Sequence, residues 1–233
     1  MSEQVYNQLR HAVLHGEYHP GERLTSVRLA RDLGVSRTPV RAALARLKTD
    51  GLVDYEDGRA AWIPPLTVSA VEEAYEIAGA LEPLLIRKIA RSITPEHLRL
   101  IEEAVVTMER AAEHRDDDLW VAGDQKFHRL LHELAGRELI SSMLDRVGTV
   151  IDRVRFLSLN VLPEGAAISA AEHRAVFEAM SAGDPQLAQQ RHEAHLDRVR
   201  EKTVSFLQTS FRVGALPSPS TPHPLAHRGD HRG

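Results

Sequence analysis

The apolar residues of the first fifty positions recur at helical spacing and predict three short helices. Thr25 or Ser26 can cap the second helix, which ends at Gly34. Ser36 can cap the third, since its hydroxyl can accept a hydrogen bond from a first-turn amide. Two short helices around a glycine-containing turn form a helix-turn-helix pattern, whose second member can lie in the major groove of DNA. The predicted inward positions are Val5, Leu9, Ala12 and Val13, then Val27, Leu29, Ala30 and Leu33, then Val40, Ala43, Leu44 and Leu47.

A hairpin pattern follows the third helix. Two strand-like runs, residues 52–55 and 60–63, flank Asp57-Gly58, and Asp-Gly between such runs favours a tight β-turn. Arg59 is expected at the tip of this hairpin, near the DNA backbone or the minor groove. Residues 1–66 are therefore predicted to form a winged helix-turn-helix domain of three helices and a small β-hairpin wing.

The chain after Pro64-Pro65, a stiff non-helical joint, has helical periodicity almost throughout. Ser69-Ala70-Val71-Glu72 has the pattern of a capping box and predicts a helix start at Ser69. Residues 67–212 are predicted to form an all-α bundle of six or seven helices, so the fold class is mainly α. Residues 213–233, rich in Pro, Ser, His and Gly, are predicted to be disordered.

Several ends within the bundle can be placed from the sequence. Helices are predicted to begin at Thr94-Pro95, near residues 116–118 and at Asp184-Pro185, and to stop at Gly136 and Gly183. The apolar faces of the first two helices are predicted to contain Leu81, Leu84, Leu85, Ile89, Leu98, Ile101, Val105 and Met108.

Composition excludes several function classes. The 233 residues carry a formal net charge of −4, and 42% of them are hydrophobic, which fits a globular protein. The absence of cysteine excludes disulfides, thiol catalysis and thiolate metal sites. No apolar run approaches the roughly 20 residues of a membrane span, and the first residues do not form a signal peptide. A cytoplasmic protein without membrane contact is expected.

The charge is distributed unevenly. The segment from Arg28 to Lys48 contains six basic residues and one acidic residue. Charge alone favours a solvated helix face, but the helix-turn-helix pattern favours phosphate and base contacts. The leading residues of the third helix, Ser36, Arg37, Thr38 and Arg41, would face base edges. Arg37 and Arg41 are one turn apart and could recognise guanines or hold phosphates.

One helical segment carries a pair of candidate metal ligands. Asp124 and His128 are four positions apart, so they share a face about 6 Å apart along the axis. An Asp/His pair at this spacing is more often a surface contact, and His132 competes for the same role. His173 and His195 occur on later helices, and spacing alone does not show that they converge.

The first segment resembles the DNA-binding domain of the GntR family of bacterial transcription regulators. The resemblance rests on Pro20-Gly21-Glu22-Arg23-Leu24, on Leu33-Gly34-Val35-Ser36-Arg37-Thr38-Pro39-Val40-Arg41 and on Asp50-Gly51-Leu52-Val53. It implies that the residues matching Arg37, Thr38, Arg41, Gly58 and Arg59 touch DNA.

The second segment, about residues 67–208, is similar to the FCD-type ligand-binding domain that follows this DNA-binding domain. Asp-x-x-Phe-His, Glu-His-x-x-Val and His-Leu match its metal motifs and imply a site of Asp124, His128, His173 and His195, with His192 as the rival for the last ligand. Zinc or nickel suits these ligands, and manganese and iron stay open.

The same resemblance implies a small organic acid beside the metal as effector. Many relatives carry an arginine where this chain has Ala78. Either another arginine serves, with Arg153 and Arg155 as candidates, or the effector differs. The competing interpretation of Arg153 and Arg155 is that they are structural surface residues.

The sequence therefore predicts a homodimeric transcription regulator that binds a palindromic operator in double-stranded DNA and is a repressor relieved by a carboxylate effector. The alternative is a metal-dependent hydrolase or lyase. Against it, the sequence contains no His-Glu-x-x-His motif and no well-placed carboxylate that could serve as a general base. A third interpretation keeps DNA binding and makes the histidine site structural or empty.

Overall fold

The computed structural model describes residues 2–14, 16–56, 60–159 and 163–213. The chain divides into two compact units. One contains residues 1–68 and the end of the last helix from residue 205, and the other contains residues 69–204. Within the described ranges, none of the helices combines the length and the apolar character needed to cross a bilayer.

The first unit is a winged helix-turn-helix. Its elements are α1 (Ser2–Leu14), β1 (Arg23–Leu24), α2 (Ser26–Asp32), α3 (Arg37–Thr49), β2 (Asp54–Glu56) and β3 (Ala60–Trp62). Gly34, at φ +66°, makes the turn between α2 and α3, a conformation that L side chains rarely adopt. Leu9, Leu29, Val40 and Leu47 are fully buried among the helices.

The sheet has three antiparallel strands in the order β1-β3-β2, with Ala61 of β3 opposite both Leu24 and Tyr55. The predicted hairpin is present, and β1 is an addition. A two-residue strand is too short to show alternation in the sequence, so periodicity cannot predict it.

Three local predictions in this unit are wrong. Val27 is 59% exposed and does not face the core. Ser36 is the N-cap of α3, but its side chain makes no capping hydrogen bond, whereas Thr25 accepts one from the Arg28 amide at 3.2 Å. Leu52 and Val53 are buried but precede β2, which begins at Asp54.

The second unit is all-α within its described residues. Its helices are α4 (Val68–Ala90), α5 (Pro95–His114), α6 (Asp117–Ala135), α7 (Glu138–Leu159), α8 (Pro163–Ser181) and α9 (Pro185–Arg212), the last of which continues beyond residue 204. The predicted starts of α5, α6 and α9 are confirmed. Thr94, Asp116 and Asp184 each accept a hydrogen bond from a first-turn amide. The predicted ends at Gly136 and Gly183 are confirmed by positive φ values.

The predicted capping box at Ser69 is not formed. α4 already begins at Val68, and the Ser69 hydroxyl bonds Glu73 on the same helix at 2.8 Å. Leu84 is 41% exposed, so it does not belong to the apolar face assigned to it.

The helices α5 and α6 lie very close together at Gly123, one residue before the candidate metal ligand Asp124. A Cβ atom on Gly123 would lie 2.9 Å from Cγ of Met108 and 3.2 Å from the carbonyl oxygen of Ala104. Only glycine fits there without a shift of its neighbours. This contact fixes the backbone of α6 directly beside Asp124.

Candidate nucleic-acid interface and candidate metal centre

The start of α3 is an exposed polar surface. Ser36, Arg37, Thr38 and Arg41 are all exposed, while Val40 on the opposite face is fully buried. The apolar spacing of α3 produces this division, because its buried stripe holds the helix against the unit and leaves its leading side chains outside. Gly58 and Arg59, the predicted wing contacts, lie outside the residues that the structure describes.

The basic segment is less charged than its sequence suggests, because four of its six basic residues form ion pairs. The pairs are Arg28 with Glu22 at 2.8 Å, Arg31 with Asp32 at 3.1 Å, Arg46 with Glu3 at 2.6 Å and Lys48 with Asp54 at 3.6 Å. Arg37 and Arg41 make no ion pair with an acidic residue in the described part of the chain. Within the basic segment, these two guanidiniums are therefore the ones whose charge is not offset by an ion pair in the described residues.

In the second unit, four predicted side chains come together from three helices. Asp124 and His128 lie on α6, His173 on α8 and His195 on α9. Oδ1 of Asp124 is 3.8 Å from Nε2 of His128 and 3.6 Å from Nε2 of His173. The three imidazoles offer nitrogen atoms that all lie within 4.8 Å of one another. We call these four residues the ligand cluster.

Each imidazole of the ligand cluster is held through its Nδ1 atom. His128 donates to Oε2 of Glu82 at 3.0 Å and His195 donates to Oε2 of Glu172 at 2.6 Å. His173 donates to the carbonyl oxygen of Ser169 at 2.7 Å. Nε2 of His128 and Nε2 of His173 are buried and have no hydrogen-bond partner. Imidazoles anchored at one nitrogen, with the other nitrogen directed at a common centre, are the arrangement that metal ligands show.

The second histidine group, Glu82, His128 and His192, differs in its spacing. Oε2 of Glu82 lies 3.0 Å from His128 Nδ1 and 2.8 Å from His192 Nε2, which are hydrogen-bond lengths. Atoms bound to one zinc ion at about 2.0–2.1 Å stand roughly 3.4 Å apart in a tetrahedral arrangement. The spacings of 3.6 and 3.8 Å in the ligand cluster fit that value better. The spacing of the ligand cluster therefore fits an ion better than that of the Glu82 group.

The ionisation of three members of the ligand cluster, Asp124, His173 and His195, suits a divalent cation. For His128, burial alone would lower the pKa, but the carboxylates of Glu82 and Asp124 raise it. Burial, together with neighbouring histidines, holds the pKa values of His173 and His195 well below the usual range, so both are neutral. Burial alone would raise the pKa of Asp124, but Arg155 and then His128 lower it, so the carboxylate is charged. Neutral imidazole and ionised carboxylate are the forms that bind a metal.

A pocket of about 520 Å³, including its solvent-open part, borders the ligand cluster. Asp124 and His195 form part of its wall, and Tyr75 and Trp120 give it two aromatic surfaces. Three cationic side chains also line it, Arg155 from α7 and Arg198 and Lys202 from α9. The pocket therefore offers an anion positive charge beside the ligand cluster.

The three cationic side chains differ in the ion pairs that they form. Arg155 pairs with Asp124 at 2.9 Å and with Asp152 at 2.8 Å, and Arg198 pairs with Glu172. Lys202 is exposed and makes no ion pair within the described residues.

The two arginines predicted as effector contacts lie in different surroundings. Arg155 lines the pocket and Arg153 does not. Arg153 is only 8% exposed, and burial lowers its pKa to about 10. The interpretation of both residues as surface arginines is wrong, because each guanidinium lies inside the bundle.

The sequence did not indicate Glu82, Glu172 and Ser169 as partners of the histidines, or Arg198 and Lys202 as lining residues. For the last two a signal was available, because they follow His195 by three and seven positions on one helix. Residues at that spacing share a face.

Two family models match the chain. The model described as "Bacterial regulatory proteins, gntR family" matches residues 1–63, and the FCD domain model matches residues 73–198. The regulator YdhC of Bacillus subtilis (strain 168), named an uncharacterized HTH-type transcriptional regulator, is 31% identical over 206 residues, which cover 88% of this chain and 92% of YdhC. The HTH-type transcriptional repressor RspR of Escherichia coli (strain K12) is 26% identical, over 89% of this chain and 91% of RspR.

The fold has a counterpart among solved structures. E. coli McbR/YncC superposes with a TM-score of 0.73 at 21% sequence identity, over 90% of this chain and 98% of McbR/YncC. At that identity the likeness shows the fold alone.

Proposed function

Because this chain belongs to the GntR family of bacterial regulatory proteins and carries an FCD domain, we propose that it is a repressor whose DNA binding responds to a metal-bound carboxylate. The chain is a transcription regulator with a helix-turn-helix DNA-binding domain, and not an enzyme. Repression, metal, effector and assembly are the parts that we propose.

For DNA, we assign the contacts to the start of α3. Ser36, Arg37, Thr38 and Arg41 enter the major groove, and Gly58-Arg59 of the wing touch the backbone or the minor groove. The observation that supports this assignment is that Arg37 and Arg41 make no ion pair with acidic residues in the described part of the chain. A homodimer in the cytoplasm would place two such helices on the half-sites of a palindromic operator, which gives more specificity than one short helix can.

For the metal, we assign the ligands to Asp124, His128, His173 and His195. The observation that carries this proposal is the pair of buried Nε2 atoms without partners, His128 and His173, that face the Asp124 carboxylate. Zinc or nickel suits three imidazoles and one carboxylate, and manganese or iron is compatible. A bound divalent cation would supply positive charge and open coordination positions to an anionic effector.

For the effector, we propose a small organic acid in the neighbouring pocket. Arg155 supplies the guanidinium that the replaced family arginine would give, since position 78 is a buried alanine. Lys202 is the third cation of the pocket and the exposed one, so it meets an entering carboxylate first. Tyr75 and Trp120 limit the ligand's size and favour a flat or apolar body.

For regulation, we propose that the effector releases the protein from its operator. RspR, which is similar to this chain over most of its length, is named a repressor. The effector must bind the released state more tightly than the operator-bound state, because only differential affinity shifts the population.

The first experiment is elemental analysis of protein purified without a histidine tag, with an Asp124→Ala/His173→Ala variant beside it. About one divalent ion per chain is expected in the wild type and none in the variant. A His114→Ala/Asp117→Ala variant, in which both residues are exposed, is the matched control and should keep the ion. Wild-type protein that stays metal-free after exposure to zinc, nickel, manganese and iron contradicts the metal proposal and leaves the DNA proposal intact.

A further inference from the structure

The carboxylate of Glu82 is buried in the bundle and faces three imidazoles. Its Oε2 atom accepts a hydrogen bond from His128 Nδ1 at 3.0 Å and another from His192 Nε2 at 2.8 Å. Nε2 of His132 lies 3.9 Å from Oε1, beyond hydrogen-bond distance. A buried carboxylate is costly unless donors compensate it. The two histidine N–H groups provide this compensation for Glu82.

The bond to Glu82 determines which nitrogen of His128 is available to an ion. An ionised carboxylate can only accept, so in neutral His128 the proton resides on Nδ1 and the lone pair on Nε2. Nε2 is buried without a partner, 3.8 Å from Oδ1 of Asp124. Glu82 therefore fixes both the tautomer and the ring orientation that the ligand cluster requires.

His192 is fully buried, but its bonding separates it from the ligand cluster. Its Nε2 atom is occupied by Glu82, and its ring centroid lies 5.7 Å from that of His128. Both rings donate to the same oxygen of Glu82. Since a carboxylate held by one donor can rotate, the second donor restrains the oxygen that positions His128.

We propose that Glu82 and His192 are positioning residues for the metal site. His192 holds the Glu82 carboxylate, Glu82 holds the His128 imidazole with Nε2 directed at the ion, and neither residue binds the ion. This inference rests on the proposed metal site of Asp124, His128, His173 and His195. It also assigns a different role to His192, which is the rival ligand by sequence.

The test is a Co²⁺ titration of the full-length, tag-free, metal-free protein against a competing chelator. Glu82→Gln and His192→Leu should each weaken Co²⁺ binding about 10- to 100-fold, the usual effect of losing a residue that orients a ligand. The visible absorption bands of the Co²⁺-saturated variants should match the wild type, because the four ligands are unchanged. Thermal unfolding of the metal-free variants serves as the fold control.

Two matched variants separate positioning from simple packing. His192→Gln keeps an N–H that can donate to Glu82, so it should restore Co²⁺ affinity to within about threefold of the wild type. His132→Gln alters a neighbour that does not hydrogen-bond Glu82 and should change affinity less than about twofold. If Glu82→Gln does not fold, the comparison of His192→Leu with His192→Gln decides the question.

Two results overturn the inference. One is a wild-type affinity in both Glu82→Gln and His192→Leu. The other is Co²⁺ binding that survives Asp124→Asn but is lost in Glu82→Gln and His192→Leu, which would place the ion in the Glu82 group. A wild-type protein that binds no Co²⁺ refutes the proposed metal site and the inference together, whereas wild-type binding with unaffected variants refutes only the inference.

Discussion

The guanidinium of Arg155 lies 2.9 Å from the carboxylate of Asp124, so one side chain touches both the pocket and a candidate metal ligand. Oδ2 of Asp124 faces Arg155, while Oδ1 faces the imidazoles of His128 and His173. The positive charge of Arg155 holds Asp124 ionised in the buried bundle. In a metal-loaded protein, an ion bound to Oδ1 would also stabilise the ionised form of Asp124.

Arg155→Met should destabilise the metal-free protein by about 3 kcal/mol, because breaking a buried ion pair leaves its partner uncompensated. The destabilisation should shrink when Zn²⁺ is present, since the ion compensates Asp124 in place of the guanidinium. Thermal unfolding with and without Zn²⁺ measures both effects. Arg146→Met, an exposed arginine on the same helix, is the control and should unfold like the wild type. An equal destabilisation in the two conditions would show that Arg155 does not share Asp124 with a metal.

Helical spacing and one resemblance predicted much of the site. The ends at Thr94, Asp116, Gly136 and Gly183 could be predicted because caps and left-handed glycines are local features. The choice of Asp124, His128, His173 and His195 depended on motif resemblance, and the structure brings these four together. Spacing alone could not do so, because three separate helices contribute.

The partners of the ligand cluster could not be predicted, since they are distant in sequence. Glu82 bonds His128 across 46 positions and His192 across 110, so no local pattern joins them. Arg153 and Arg155 show a related limit. Residues two apart on a helix face different directions, so only one of the two could line the pocket, and spacing does not decide which.

Ion pairing explains why local charge was a poor guide in the DNA-binding unit. The partners of Arg46 and Lys48 are Glu3 and Asp54, which lie outside the basic segment. The sequence count therefore overstates the positive charge that is available to DNA.

Arg37→Ala and Arg41→Ala should each weaken operator binding by about 1–3 kcal/mol if they contact bases, and should relax specificity. Fluorescence anisotropy on an operator selected from random duplexes measures this weakening, with an unrelated duplex beside it. Arg31→Ala removes an exposed arginine that is paired with Asp32, so it should have a smaller effect.

The salt dependence distinguishes base contacts from phosphate contacts at Arg37 and Arg41. If they hold only phosphates, affinity should fall evenly across sequences, and the slope of affinity against salt should become shallower by about one for each phosphate that is no longer neutralised. Wild-type operator affinity in both variants would show that the start of α3 is not the recognition surface.

Tyr6 should make the stability of the protein depend on alkaline pH. Its hydroxyl donates to Asp50 at 2.7 Å, and burial followed by this bond raises its pKa to about 12. The unfolded chain loses this proton near pH 10, so the contribution of Tyr6 is complete below pH 10 and is lost as pH rises toward 12. Urea unfolding of the wild type and Tyr6→Phe should differ by about 1–2 kcal/mol at pH 8, and by less at pH 10.5. A difference that is constant with pH would mean that the tyrosine proton is not held in the folded state.

Two Gly→Ala substitutions should have opposite effects on stability, because only one of the glycines lies at the close approach of α5 and α6. Gly123→Ala should destabilise the protein by about 1–3 kcal/mol, because the added methyl meets Met108 and the backbone of Ala104. Gly79→Ala, on α4, meets nothing within 4 Å and should stabilise it by roughly 0.5–1 kcal/mol through its higher helix propensity. Urea unfolding of both variants measures these differences.

Gly123→Ala should also weaken Co²⁺ binding, since the shift displaces Asp124, whereas Gly79→Ala should not. Equal stability of the two variants would show that the helices can separate there without cost, and that this contact does not position Asp124.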